Sequence, residues 1–283
     1  AIVIFSGVEG VESQSETVWR QADRYGVPRI AFINKLDRFE ADFSRAFSDI
    51  GEKLGAVAIP LVFPWRDSEG NLLGMIDLLR FRAIKWDPAT LGREFYFYPV
   101  PKEAEEEAWA WREKLWEILS EASDEIAELY LSGKEIPEEL ALRVLREVTI
   151  KRLWVPVLGG SAYEKIGVQP VLDAVVDFLP SPLDIPPARG TALDGKTPLT
   201  RKPLPEEPFS AIVFKVFTDP YADRLLYTRI YSGTLKEGQI VLNATQGTKA
   251  RVTRLFRLHA NKRTEMEEAL AGDIVGLILS APA

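Results

Sequence analysis

Val27-Pro28-Arg29-Ile30-Ala31-Phe32-Ile33-Asn34-Lys35-Leu36-Asp37 decides how this chain is read. Residues 29–33 have the apolar density of a buried strand, and a polar loop of the form N-K-x-D follows at once. Upstream, Ala1-Ile2-Val3-Ile4-Phe5 is a continuous apolar run, the pattern of a parallel strand covered on both faces. Between the two lies a helical segment, residues 13–25. Ser13 is expected as its cap, with Glu16 three positions on completing a capping box. Val18, Trp19, Ala22 and Tyr25 form its apolar stripe, and Gly26 followed by Pro28 stops it. Strand, helix and strand within about 30 residues make a βαβ unit, which implies a parallel sheet.

Downstream of the loop, Phe43, Ala46, Phe47, Ile50 and Leu54 recur at helical spacing, with Gly55 as the stop. Residues 57–63 read as a further strand. The texture then changes. Asp67-Ser68-Glu69-Gly70-Asn71 is a turn between strand-like pieces, Phe95 to Tyr98 is a short aromatic strand, and a strongly acidic helix spans residues 102–120. Shorter helices run to Thr149. Trp154 to Leu158 resumes the buried-strand pattern, Gly159-Gly160-Ser161-Ala162 is the loop after it, and residues 168–179 form a helix with Val171, Leu172, Val175, Val176 and Leu179 on its apolar face.

Residues 183–208 are rich in Pro and Gly and lack a period, which reads as a linker. Beyond them the period becomes that of strands, at residues 209–217, 225–231, 239–242, 248–258 and 274–279. Short strands at this spacing suggest a small antiparallel barrel. The expected organisation is an α/β domain with a parallel sheet (1–63 and 154–182), interrupted by an α+β insertion (64–153). A linker (183–208) and a β-barrel domain (209–283) follow.

Composition narrows the function classes. The 283 residues suffice for two or three domains, and the 46% hydrophobic and 27% charged fractions are ordinary for a globular protein. With no cysteine there is no disulfide frame and no thiolate chemistry, and the single histidine, His259, argues against a histidine metal site. A net charge of −7 lacks the bulk footprint of a nucleic-acid binder, so any RNA contact needs a local basic patch. No apolar run is long enough for a membrane span, so no membrane partner and a cytoplasmic location are expected. The chain opens directly on a strand and stops just after one, which reads as an internal segment of a longer protein with an incomplete barrel.

The chemistry lies in Asn34-Lys35-Leu36-Asp37. Guanine presents two donors, N1–H and the N2 amine, and a carboxylate at Asp37 can accept both. Adenine would leave that carboxylate unpaired. Asn34 can bond the base edge and tie loops together, and the stem of Lys35 can lie along the base face. The same letters also suit a plain polar turn between strand and helix. Position favours the ligand: the motif ends a strand of a parallel sheet, where such folds bind their ligands. Ser161 and Ala162, at the end of the next sheet strand, are small enough to bring a backbone N–H to the guanine O6.

With those residues in order, the chain resembles the translational GTPases, and among them the elongation factor G family. The resemblance runs through residues 8–12 and 14–19, Val27-Pro28-Arg29 with the N-K-x-D loop, Gly160-Ser161-Ala162 with Gly167-Val168-Gln169, and Leu179 to Pro186. It continues in Tyr231 to Leu235 with Gly238, His259 to Arg263, and Ala271-Gly272-Asp273. It implies a P-loop-GTPase-type sheet domain whose N-terminal part is missing, GTP or GDP as ligand, and a monomer that drives ribosomal translocation of tRNA and mRNA. It also implies guanine contacts from Asn34, Lys35, Asp37, Ser161 and Ala162. Ribosomal RNA contacts are implied at His259, Asn261, Lys262 and Arg263, where a plain exposed loop is the other reading. The acidic helix at 102–120 would dock a ribosomal stalk protein, or is simply a solvated charged face.

The departures are as informative. No G-x-x-x-x-G-K-[ST] loop is present to cradle phosphates, and the family's metal-side Asp-x-x-Gly and its catalytic His would precede Ala1. Asp67 to Gly70 matches the former by letters alone and is rejected. No catalytic or metal-binding residue is therefore assigned, and Mg²⁺ is expected only with the missing N-terminal part. Another translational GTPase, of the ribosome-protection or release-factor type, and a non-catalytic ribosome-docking fragment are the competing readings.

Overall fold

A computed structural model describes residues 1–218, 224–260 and 262–280. The chain divides into two compact units, Ala1–Leu179 and Pro180–Ala283. Among the described residues, no helix is long and apolar enough to cross a membrane.

In the first unit the elements follow as β1 (Ile2–Ser6), α1 (Ser13–Arg24), β2 (Ile30–Asn34), α2 (Phe43–Leu54), β3 (Val57–Arg66), β4 (Leu72–Asp77), β5 (Arg82–Trp86), β6 (Phe95–Pro99), α3 (Lys102–Ser120), α4 (Asp124–Leu131), α5 (Glu138–Ile150), β7 (Trp154–Gly159) and α6 (Val168–Phe178). The seven strands make one sheet, in the order β1-β2-β7-β3-β4-β5-β6. The first four in that order are parallel, with Ser6 opposite Asn34 and Ile33 opposite Gly159, while β3 to β6 are antiparallel. Residues 64–153 thus extend the same sheet and share its core. Trp111 of α3 packs its ring 5.2–5.3 Å from those of Phe43 and Phe47 on α2, edge to face.

The helix stops at Gly26 and Gly55 are where the sequence places them, both at positive φ. At Gly26 the N–H bonds Asp23 O and the next N–H, of Val27, reaches back to Ala22 O, which closes the end of α1. Other expectations need correction. Ser13 does not cap α1: Glu12 holds the extended N-cap position, its side chain makes no cap bond, and Ser13 is already helical. The stripe of α1 buries only Trp19, with Val18 and Tyr25 exposed. In this chain β1 is covered on one face only: Phe5 packs toward Trp19 while Ile4 is 61% exposed. The face that α6 buries is Val171, Ala174 and Phe178, whereas Leu172 and Val176 lie in solvent. Apolar letters at helical spacing mark a face, but which of two adjacent faces meets the sheet depends on crossing geometry.

The second unit holds β8 (Ala188–Thr191), β9 (Pro198–Arg201), β10 (Ser210–Phe217), β11 (Leu225–Ser232), β12 (Thr234–Lys236), β13 (Ile240–Asn243), β14 (Thr248–His259), β15 (Lys262–Glu265), β16 (Glu268–Leu270) and β17 (Ile274–Leu279). All pairings are antiparallel. β10-β11-β17-β14-β13 form the main sheet, β15 pairs with β14, and β12 with β16. Leu226, Ile230, Leu235, Val252, Leu255, Val275 and Leu277 build the core. The stretch expected as a linker contains a hairpin, β8 paired with β9. Its turn is closed by Asp194, whose carboxylate accepts the Lys196 and Thr197 N–H groups at 2.9 Å and the Thr197 hydroxyl at 2.5 Å. Such a turn leaves no hydrophobic period and is invisible to a pattern search.

Candidate nucleotide site

β2 and β7 lie side by side, so the loops at their carboxyl ends meet although 128 residues separate Asn34 from Ala162. Asn34 Oδ1 accepts the Ala162 N–H at 2.8 Å. The backbones are stitched as well: Leu36 N–H donates to Gly160 O at 3.1 Å and Gly160 N–H to Ile33 O at 3.0 Å. Gly160 is required by close approach, since a Cβ there would sit 2.4 Å from Ile166 O and 2.9 Å from the Phe32 ring. Ser161 is fully buried; its N–H bonds Ile166 O and its hydroxyl accepts Glu164 N–H at 3.2 Å, so its side chain shapes its own loop.

Lys35 stands at φ 64°, in the left-handed region, and its ammonium lies 3.4 Å from Glu9 Oε2. The Asp37 carboxylate is the acceptor with the fewest commitments in the loop. Its side chain is 20% exposed, and its near cation is the Arg38 guanidinium at 3.7 Å. Leu36, between Lys35 and Asp37, is fully buried, wedged against Gly7 and Gly159, neither of which has room for a methyl group. The structure therefore brings Asn34, Lys35, Asp37, Ser161 and Ala162 into one loop cluster.

Three neighbours of the cluster lie outside the N-K-x-D loop and the Gly159–Ala162 loop. Arg66 donates to Leu36 O at 2.6 Å and to Gly70 O at 2.7 Å, tying the β3–β4 turn to the N-K-x-D loop. Burial lowers its pKa, against the pull of the Asp37 charge. The loop at residues 7–11 is the second neighbour: Gly7 N–H donates to Asn34 O at 2.7 Å and Asp42 N–H to Gly7 O at 2.8 Å. Asp49 is the third, accepting Val11 N–H at 3.2 Å and the Lys53 ammonium at 2.8 Å. Its burial pushes the carboxyl pKa up, but those bonds and the Lys53 and Arg45 charges outweigh burial and leave it lowered. Asp67, by contrast, is consumed by its own turn, accepting Glu69 N–H, Asn71 N–H and the Asn71 amide at 2.8–2.9 Å.

In the second unit, His259 ends β14 and Lys262 and Arg263 begin β15; all three are exposed on one hairpin, with Ala260 at φ 49° in the turn. Asn261 lies outside the described residues. On α3, Ala104, Ala108, Trp111, Leu115, Trp116 and Leu119 face the core, and Glu103, Glu105, Glu106, Glu107, Glu113 and Glu117 face solvent.

An α/β sheet whose adjacent parallel strands carry two stitched loops at their carboxyl ends is the framework of a nucleotide-binding domain. Comparison with known proteins specifies which. Residues 1–181 match the family model of the elongation factor Tu GTP binding domain, and residues 208–280 match that of elongation factor G domain 2. The chain belongs to the elongation factor family of GTP-binding proteins, in its elongation factor G group. It is 47% identical to elongation factor G of Aquifex pyrophilus over 98% of this chain and 40% of that protein. It is likewise 47% identical to elongation factor G of Thermotoga maritima, over 99% of this chain and 41% of that one. A crystal structure from Thermus thermophilus superposes with a TM-score of 0.76 at 28% identity, covering 98% of this chain and 38% of that one. The chain thus spans about two fifths of the length of these relatives.

Proposed function

We propose that this chain supplies the guanine-reading part of a GTP-hydrolysing translation elongation factor of the translocase type. The single observation that supports it best is the Asn34–Ala162 bond, which couples the two loops where a base would lie. In this reading Asp37 accepts guanine N1–H and N2–H, and the Lys35 stem covers one face of the ring. Asn34 borders the base edge. Guanine O6 takes a share of the Ala162 N–H in a three-centre bond, or displaces Asn34 from it. Ser161 holds that loop in shape. The residues present fit the base: a carboxylate with no hydrogen-bond donor of its own among the described residues matches a ring edge with two donors.

GTP supplies the phosphoryl chemistry, with Mg²⁺; no residue of this chain is assigned to the phosphates or to the metal. Ribosomal RNA is the proposed partner of His259, Lys262 and Arg263, together with Asn261, and a stalk protein that of the acidic face of α3. The protein is proposed to act as a monomer in the cytoplasm, and residues 64–153 are proposed to be a block inserted in the GTP-binding domain. Competition against a fluorescent GDP analogue tests the core claim. GTP and GDP should displace it while ADP at equal concentration does not; equal displacement by ADP would remove the guanine-reading assignment.

A further inference from the structure

Glu9 has no place in the N-K-x-D pattern, yet its carboxylate reaches Lys35. The loop that carries it is fixed from several sides. Ser6 hydroxyl bonds the Glu9 carboxylate and accepts the N–H groups of Val8 and Glu9 at 3.2 and 3.3 Å. Gly10 N–H returns to Ser6 O at 2.8 Å. Arg45 donates to Val8 O, and Asp49 holds Val11 N–H. Glu9 Oε2 is thereby presented 3.4 Å from the Lys35 ammonium, between loops 26 residues apart.

Lys35 needs such a partner. Its backbone is left-handed, and about half of the side chain is exposed. A free lysine stem samples many rotamers, and ordering it on ligand binding weakens affinity. We infer that Glu9 is a positioning residue for nucleotide binding: its carboxylate, oriented by Ser6, holds the Lys35 ammonium so that the stem is already laid out as one wall of the base pocket before the nucleotide arrives. This rests on the guanine-reading assignment above. Glu9 does not touch the base; it acts through Lys35. Because the wall packs on the face of the ring and not on its edge, Glu9 strengthens binding of GDP and of inosine diphosphate by the same factor.

The test is a double-mutant cycle in the full-length protein, with GDP and inosine diphosphate Kd values measured for wild type, Glu9→Gln, Lys35→Met and the double variant. Glu9→Gln should raise both Kd values about two- to fivefold, the range of an exposed ion pair, and the effect should shrink as salt is raised. In the Lys35→Met background Glu9→Gln should have no effect, because the group it holds is gone. An equal effect in both backgrounds would overturn the inference in favour of a general role in loop structure, and so would no effect in either. If wild type binds guanine nucleotides no better than adenine nucleotides, the underlying assignment falls and this one with it. If it binds them selectively and Glu9→Gln is silent, only the role of Glu9 falls.

Discussion

Asn34 Oδ1 and the Ala162 N–H are joined at 2.8 Å across 128 residues of chain. That bond is possible because β7 is inserted between β2 and β3, which places the carboxyl ends of β2 and β7 side by side. Neither loop is a site alone. Together they form a rim with one carboxylate, Asp37, left to accept.

Asp37→Asn exchanges an acceptor for a group that also donates. GDP affinity should fall at least about 100-fold, since both base donors lose a charged acceptor, while xanthosine diphosphate should bind better than to wild type. Isothermal titration with the two nucleotides measures it. Unchanged selectivity would take Asp37 out of the pocket.

Asn34→Ala leaves the Ala162 N–H without its partner. The expected loss is about 1–2 kcal/mol of stability by urea unfolding, together with weaker GDP binding. Asn34→Asp keeps an acceptor at that position, so it should recover most of the stability.

The same loop is pinned from below by Leu36, which is fully buried against Gly7 and Gly159. Leu36→Ala should cost about 2–5 kcal/mol through lost burial and the cavity left behind. A loss of unfolding free energy below about 0.5 kcal/mol in urea titration would show that the wedge is not tightly packed.

Asp194 sets an acid limit for the β8–β9 hairpin. Hydrogen bonds from Thr197 and Lys196 depress its pKa from 3.8 to about 2. A carboxyl depressed in the folded state stabilises it fully above the unfolded value, and the contribution is lost as pH falls through the folded one. The turn should therefore hold above about pH 4 and loosen towards pH 2. In Asp194→Asn the amide shifts of Lys196 and Thr197 should lose this titration by NMR.

What is legible in the sequence follows from period and punctuation. α2 is legible because Phe43, Ala46, Phe47 and Ile50 all face the core and Gly55 ends it. α3 is legible to its boundaries. The loop pair is legible because small and polar residues stand at the ends of apolar runs. The uncovered face of β1 is not, because Ile2 and Ile4 look the same whether or not a helix covers them. β12, β15 and β16 have three or four residues each, too few for alternation to register. Arg66 escapes for another reason: its bonds to Leu36 O and Gly70 O come from what the turns around it bring within reach.

The placement of β7 also sets a schedule. Synthesis at about 5–20 residues per second brings Ala162 out of the ribosome roughly 6–26 s after Asn34. Until then β2 and β3, which flank β7 in the finished sheet, have no common neighbour to join them. The nascent chain must carry those two apolar strand edges unpaired or covered by other means, the condition in which strands recruit the wrong partner. Slowed elongation across residues 64–153, or loss of a chaperone that shields such edges, would then lower the yield of folded protein without altering any residue of the site.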